Sequence, residues 1–270
     1  MTELRFVFVI VVYRNTSDIE ELLLSIKSHK INAEVVIVNN YYDNDSLLRC
    51  SEIASKYEGH FINIENKGYG YGNNRGIEYS NKNLKYDYLI ISNPDVIIKQ
   101  FDTTYLSNQK DYVIGPLIKT ISGKNQNPYW FVDNPIAEWF IFKGYKYKSR
   151  LILYSGIAIN KFIREAFLLI FKLRKKRYTN VFALHGSFVI FSKNVLTKIG
   201  LPYDEDMFLF AEEAHLAHLL KRNNMKSVLT KDIEVLHKED GSMSLANLNL
   251  SSELKKSVIT YYTKLRKKNI

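Results

Sequence analysis

LRFVFVIVVY, residues 4–13, is an almost unbroken run of apolar and β-branched residues. A strand with water on one side alternates apolar and polar residues, so an unbroken run calls for cover on both faces. The next residues supply it, because Ser17 begins a helical pattern through Leu22, Leu23 and Ile26. The unit then repeats. AEVVIVNN (33–40) reads as a second strand, Asp45 to Lys56 as a helix, HFINIE (60–65) as a third strand, NNRGIEYS (73–80) as the start of another helix and YDYLIISNPD (86–95) as a fourth strand. Strands separated by helices of this length predict an α/β fold, with a Rossmann-like, mostly parallel central sheet flanked by helices. Ligands of such sheets bind beyond the carboxyl ends of the strands, and the polar motifs of this chain sit there.

Composition narrows the classes. With 270 residues, 46% of them hydrophobic, the chain can bury a sizeable core. No run of about 18 or more apolar residues occurs, and MTELRFVFVIVVYR carries an early acidic residue and no small-residue cleavage site. The expectation is a cytoplasmic protein. One cysteine, Cys50, leaves no internal disulfide and no zinc pattern. The net charge of +10 points to anionic partners. No helix-turn-helix, zinc-finger or RNP-like pattern is present, so nucleic acid is not an expected partner and a phosphorylated small molecule is.

GYGYGNNRG (68–76) places Gly70, Gly72 and Gly76 in a spacing similar to a dinucleotide fingerprint. Such a fingerprint normally follows the first strand. Here the first strand ends in VVYRN without glycine and the loop comes after the third, so an NAD(P)-dependent oxidoreductase is the alternative reading, not the first.

VVYRN (11–15), VVIVNNYYDNDS (35–46), NKGYGYGNNRGIEYS (66–80) and ISNPDVII (91–98) together resemble the GT-A fold, family 2 glycosyltransferases. HGSFVIFSK (185–193), YDEDMFLFAEEAHLAHLLKR (203–222) and VLHKEDGSMS (235–244) resemble the acceptor-side and catalytic motifs of the rhamnosyltransferase-like members. The resemblance runs from about residue 5 to 244 and leaves 120–180 poorly matched. It implies a catalytic domain over 1–245, in which 120–180 is a variable acceptor-side or membrane-proximal insertion, and a basic C-terminal helical extension over 246–270. It also implies an inverting transfer of a sugar from a nucleotide diphosphate sugar, dTDP-rhamnose or a UDP-hexose, to a hydroxyl of a glycan acceptor in bacterial surface polysaccharide (capsule, O-antigen) synthesis.

The resemblance assigns roles residue by residue. Val12, Tyr13 and Asn15 border the base and ribose. Asn39 stands where the family usually has an aspartate, followed by Asn40, and an amide both donates and accepts; Asp43 or Asp45 matches the acidic position further on. Lys67, Gly68, Gly72 and Asn74 border the donor, the glycines allowing close approach and positive φ, with Asn73 and Asn74 as caps of the helix that follows. Asn93 and Asp95 of the NPD motif take the place of the family's D-x-D element, Asp95 binding Mg²⁺ or Mn²⁺ against the diphosphate, and His237 resembles the late histidine that reaches the metal or diphosphate. His185, Gly186 and Ser187 border the acceptor sugar, as does His215. The catalytic base lies in FAEEAH, at Glu213 or its neighbour Glu212, since one carboxylate must take the acceptor proton.

Asn39, Glu213 and His215 depart from the family pattern, so a non-catalytic nucleotide- or carbohydrate-binding module of an assembly complex is a third reading. NKFIREAFLLIFKLRKKRY (160–178) and YYTKLRKKNI (261–270) join apolar stretches to basic ends. Both suit docking on anionic lipid, peripherally on the inner face of the cell membrane, and an acceptor carried on a polyprenyl diphosphate. A homo-oligomer is compatible with this sequence.

Overall fold

The computed structural model describes residues 3–106, 109–239 and 250–266. Its first half is the expected alternation: β1 (Phe6–Val12), α1 (Ile19–Ser28), β2 (Ala33–Tyr41), α2 (Asn44–Lys56), β3 (His60–Glu65), α3 (Tyr69–Asn83) and β4 (Tyr88–Ser92). β1 pairs in parallel with both β2 and β4, and β2 in parallel with β3. All seven residues of β1 are buried. Val7, Val9 and Val11 point to the face covered by Ile77 of α3. Phe8, Ile10 and Val12 point to the face covered by Ile19, Leu22 and Leu23 of α1 and by Cys50 and Ile53 of α2. The unbroken apolar run is thus the consequence of a sheet sandwiched between helices.

The second half is mixed. β5 (Val96–Phe101), β6 (Tyr112–Thr120), α4 (Pro135–Lys146), α5 (Arg150–Leu173), β7 (Tyr178–Val181), β8 (Phe188–Ser192), α6 (Lys193–Ile199), α7 (Glu212–Arg222), β9 (Lys226–His237) and α8 (Leu250–Thr260) follow, α8 running into a π-helical turn at Tyr261–Arg266. Among the described residues the strand order is β3-β2-β1-β4-β8-β6-β9-β5, with β7 added on β9. β8, which holds the FVIF run of HGSFVIFSK, enters antiparallel between β4 and β6.

Two local expectations are corrected. The helix expected from residue 73 begins at Tyr69, so the glycine-rich stretch is its first two turns and not a loop. Of its glycines only Gly68 has positive φ, at 110°. The others serve packing: a Cβ on Gly76 would stand 2.2 Å from Val9 Cγ1, and one on Gly72 2.7 Å from Asn40 Oδ1. Nor are Asn73 and Asn74 caps, because both are buried inside α3, where Asn74 Nδ2 donates to Tyr203 O at 2.9 Å.

Candidate active site

A cavity of about 430 Å³ opens beyond the carboxyl ends of β1, β2 and β4. Tyr13, Asn40, Gly68, Asn93, Asp95, His185, Gly186, Ser187, Glu212, Glu213 and His237 line it together, bringing one site out of segments more than 200 residues apart.

Asp95 follows β4 through Asn93 and Pro94 and is 3% exposed. Its Oδ1 lies 3.3 Å from His237 Nε2 at the end of β9, and the two elements are stitched by Lys238 N–H donating to Asp95 O at 3.0 Å. His237 Nδ1 contacts Gln126 Oε1 at 2.7 Å. Because a carbonyl oxygen only accepts, that contact places the hydrogen on Nδ1, and in the neutral imidazole it leaves Nε2 with its lone pair directed towards Asp95 and the Asn93 amide, 3.4 Å away. A carboxylate oxygen and an imidazole lone pair converging at this distance are a donor set that suits a divalent cation, with phosphate oxygens and waters completing the shell.

Opposite in sequence, α7 brings in the acids. Phe210 and Ala211, with φ of 74° and 67°, hold two successive left-handed conformations just before it. This is a costly backbone for residues with a Cβ, of order 1–3 kcal/mol each. It turns the first helical turn so that Glu212 and Glu213 both line the cavity. Glu213 Oε1 accepts a hydrogen bond from Gly186 N–H at 3.4 Å. Glu212 is 5% exposed, and its Oε1 has no protein partner. Burial, with the Glu213 charge second, pushes the Glu212 carboxyl up to about 8. Burial also raises Glu213. The pair therefore holds one proton readily and a second charge reluctantly.

Gly186 sits where a Cβ would stand 3.3 Å from Glu213 Oε1, so the glycine gives the carboxylate room. Tyr69 Oη lies 3.0 Å from both Asn93 Oδ1 and Gly186 O, bridging the two sides of the cavity. Burial holds His185 down to about 3, and its Nδ1 accepts from Ser187 N–H at 3.2 Å. That histidine is neutral across the physiological range.

The other expected residues lie outside the cavity lining. Val12 is in the core. Asn15 Nδ2 donates to Asp18 Oδ2 at 2.6 Å, ahead of α1. Asn39 is fully buried and its Nδ2 donates to Asn63 Oδ1 at 2.8 Å, tying β2 to β3. Lys67 is paired with Glu65 on the surface. Gly72 and Asn74 pack α3 as described. His215 is buried and its Nδ1 has no protein partner; burial lowers its pKa. Residues 240–244 of the VLHKEDGSMS motif, and 246–249 and 267–270 of the C-terminal stretch, lie outside the described residues.

Sequence reasoning missed Gln126 and Tyr129, which come from the poorly matched 120–180 segment, and Leu254 of α8, all of which line the cavity. Tyr69 was visible only as an aromatic between glycines. At the rim, Arg14 lies 3.8 Å over the Tyr42 ring, and the Tyr13 and Tyr42 rings meet edge to face at 5.7 Å. Elsewhere, Asp133, Glu138 and His218 bring ligand atoms within 4.8 Å of one another, the one such cluster among the described residues. Lys221 pairs with Asp133 at 2.7 Å, and Tyr261 donates to Glu138 at 3.0 Å, so this cluster already works as a buried network joining α4, α7 and the C-terminal turn.

No protein-family model matches this chain. Over 236 residues it is 25% identical to a low-salt glycan biosynthesis hexosyltransferase of Haloferax volcanii, covering 86% of this chain and 66% of that protein. It thus spans just under two thirds of that relative's length. Among solved structures it is similar to GalNAc-T7 with UDP, GalNAc and Mn²⁺ (TM-score 0.60, 15% identity, 88% of this chain and 44% of that one). It is similar also to a mannosyltransferase from Pyrobaculum calidifontis in complex with GDP-Man and Mn²⁺ (TM-score 0.52, 12% identity, 98% and 71%). A third is S. aureus TarS (TM-score 0.54, 13% identity, 98% and 44%). The fold is accordingly the GT-A fold of glycosyltransferases, a central sheet flanked by helices.

Proposed function

We propose that this chain is a metal-dependent, inverting glycosyltransferase that moves a sugar from a nucleoside diphosphate to a hydroxyl of a glycan acceptor. The observation that carries this reading is that a single cavity is lined by the Asp95–His237 pair and by the Glu212–Glu213 pair. The hexosyltransferase relative and the nucleotide-bound, Mn²⁺-bound structural neighbours support it.

Asp95 and His237 would hold Mg²⁺ or Mn²⁺, which when bound offsets the charge of the diphosphate leaving group. Glu213, kept in place by Gly186 N–H, takes the proton of the acceptor hydroxyl. The acceptor oxygen forms its bond to the anomeric carbon as the bond from that carbon to the diphosphate breaks on the opposite face, which inverts the configuration. Glu212, held protonated by burial, leaves the acidic pair with one negative charge for this step. Asn40 Oδ1, buried at the cavity wall with no protein partner, and the Tyr13–Tyr42–Arg14 stack offer hydrogen-bonding and stacking groups for the nucleotide. A hexose donor is favoured by the relative's name. dTDP-rhamnose, the polyprenyl-linked acceptor and the surface polysaccharide role belong to the same proposal on the sequence resemblance.

A thermal-shift panel of UDP, dTDP, GDP, NAD and NADP, each with and without Mn²⁺, tests it on wild type and Asp95→Ala. A Mn²⁺-dependent rise with a nucleoside diphosphate, absent in Asp95→Ala, is expected. Stabilisation by NAD or NADP alone, indifferent to metal, would instead favour the oxidoreductase.

A further inference from the structure

α5 is apolar on both sides. Its inner face is accounted for: Leu168 and Phe171 join the main core, and a Cβ on Gly156 would stand 2.7 Å from Ala137 O, so the helix lies directly against α4. Its outer face is not. Leu151, Phe162 and Leu173 are more than three-quarters exposed and Leu169 more than half. Their separations of 11, 7 and 4 residues, at about 100° per residue, set them within about 40° of one another. They form a stripe about 33 Å long facing solvent. No helix among the described residues is long and apolar enough to cross a membrane.

Charge identifies what covers the stripe. Residues 143–177 contain 11 of the 38 lysines and arginines but only one, Glu165, of the 28 acidic residues. This segment alone therefore carries a formal +10, equal to the net charge of the whole chain, and the remaining residues balance at 27 of each sign. The cations bracket the stripe. Lys146, Lys148 and Arg150 stand at its start and Arg174, Lys175 and Lys176 at its end, all exposed and none in an ion pair among the described residues. At the end of α5, Arg174 and Lys176 also border a crevice of about 530 Å³ floored by Phe131, Phe167 and Phe171.

We propose that α5 and its basic ends form an in-plane docking face for an anionic lipid bilayer, the stripe seated among the acyl chains and the cations on the headgroups. A second copy packed stripe to stripe would bring two +10 segments together. A nucleic acid would gain nothing from the apolar residues. This docking is independent of the transfer reaction and goes beyond it.

The test is flotation of the full chain with phosphatidylcholine vesicles, with and without phosphatidylglycerol. Binding is expected only with phosphatidylglycerol and to weaken as salt is raised. Replacing Phe162 and Leu169 together by Ser, or Arg174, Lys175 and Lys176 together by Gln, is expected to lower partitioning by about tenfold or more. The nucleotide-dependent thermal shift of these variants stays as in wild type, which separates failure here from failure of the transferase reading. Absence of flotation on anionic vesicles, or flotation that the Ser variant leaves unchanged, would overturn the proposal. So would a concentration-dependent dimer that the Ser variant dissociates.

Discussion

Glu212 and Glu213 occupy successive positions of one helix, yet both line the cavity, and this follows from the left-handed pair Phe210–Ala211 that sets the helix start. Burial raises both carboxyls. A carboxyl whose folded pKa lies above its unfolded value contributes stability that is complete below the unfolded pKa and is lost as pH rises through the folded one. For Glu212 that window runs from the ordinary 4.5 to about 8. Glu212→Gln should therefore melt above wild type at alkaline pH and close to it in mild acid, as read by calorimetry across that range. Parallel melting curves would refute the shifted pair. Glu213→Gln should lower turnover by about 10²- to 10⁴-fold while leaving donor binding intact, measured as product formation against the nucleotide thermal shift. FAEEAH made these acids legible in the sequence because adjacent carboxylates before an apolar helix stand out in one dimension. Gln126 was not legible, since its part in the site exists only through contact with His237, 111 residues away.

At the scale of elements, α3 shows how a pattern can be seen and its purpose misread. The glycines at 70, 72 and 76 look like a flexible loop, because glycine is the usual residue of turns. In the structure they belong to a helix in which Gly72 and Gly76 press onto β1 and β2, where side chains would collide with Val9, Val11 and Asn40, while Gly70 packs against Tyr203. Gly76→Ala thus sets two effects against each other. Helix propensity favours alanine by up to about 1 kcal/mol, while overpacking against Val9 and Val38 costs about 1–3 kcal/mol. With Val9 Cγ1 only 2.2 Å from the added carbon, overpacking wins. Urea denaturation should show a net loss of stability, and a gain would mean that α3 moves freely off the sheet. Among the parallel strands HFINIE is β3 end to end and AEVVIVNN falls one residue short of β2, whereas YDYLIISNPD overruns β4, Tyr88–Ser92, at both ends; for β1 burial on both faces imposes an unbroken apolar run.

For the whole molecule, the C-terminal stretch packs against the part of the chain that holds the cavity. Tyr261 is buried with Met207, Ala211 and Ala214. Ser257 Oγ donates to Leu209 O at 2.6 Å, and Leu254 reaches the cavity wall. A chain shortened to end at residue 249 loses this cover over the residues that aim the acidic pair. Removing a buried aromatic costs about 3–5 kcal/mol, so its melting temperature should fall by roughly 6–20 °C. A melting temperature equal to that of the full chain would make the segment an appendage.

The sequence by itself determined the parallel half, β1 to β4 with the helices between them, and the identity of the acids and the histidine that carry the proposed chemistry. Those features are local: a run of residues specifies its own burial, and a strand end followed by polar residues marks a ligand-facing edge. Only the tertiary structure decided the rest. β8 reads the same whether it runs parallel or antiparallel, and its place between β4 and β6 depends on pairings about 75 to 105 residues apart in sequence. Asn39 and Asn40 are neighbours of one type, and the pleat alone sends one amide to β3 and leaves the other at the cavity wall. The outward apolar stripe of α5 is invisible until its inner face has been assigned, because a sequence shows that residues are apolar and not which of them the fold leaves uncovered.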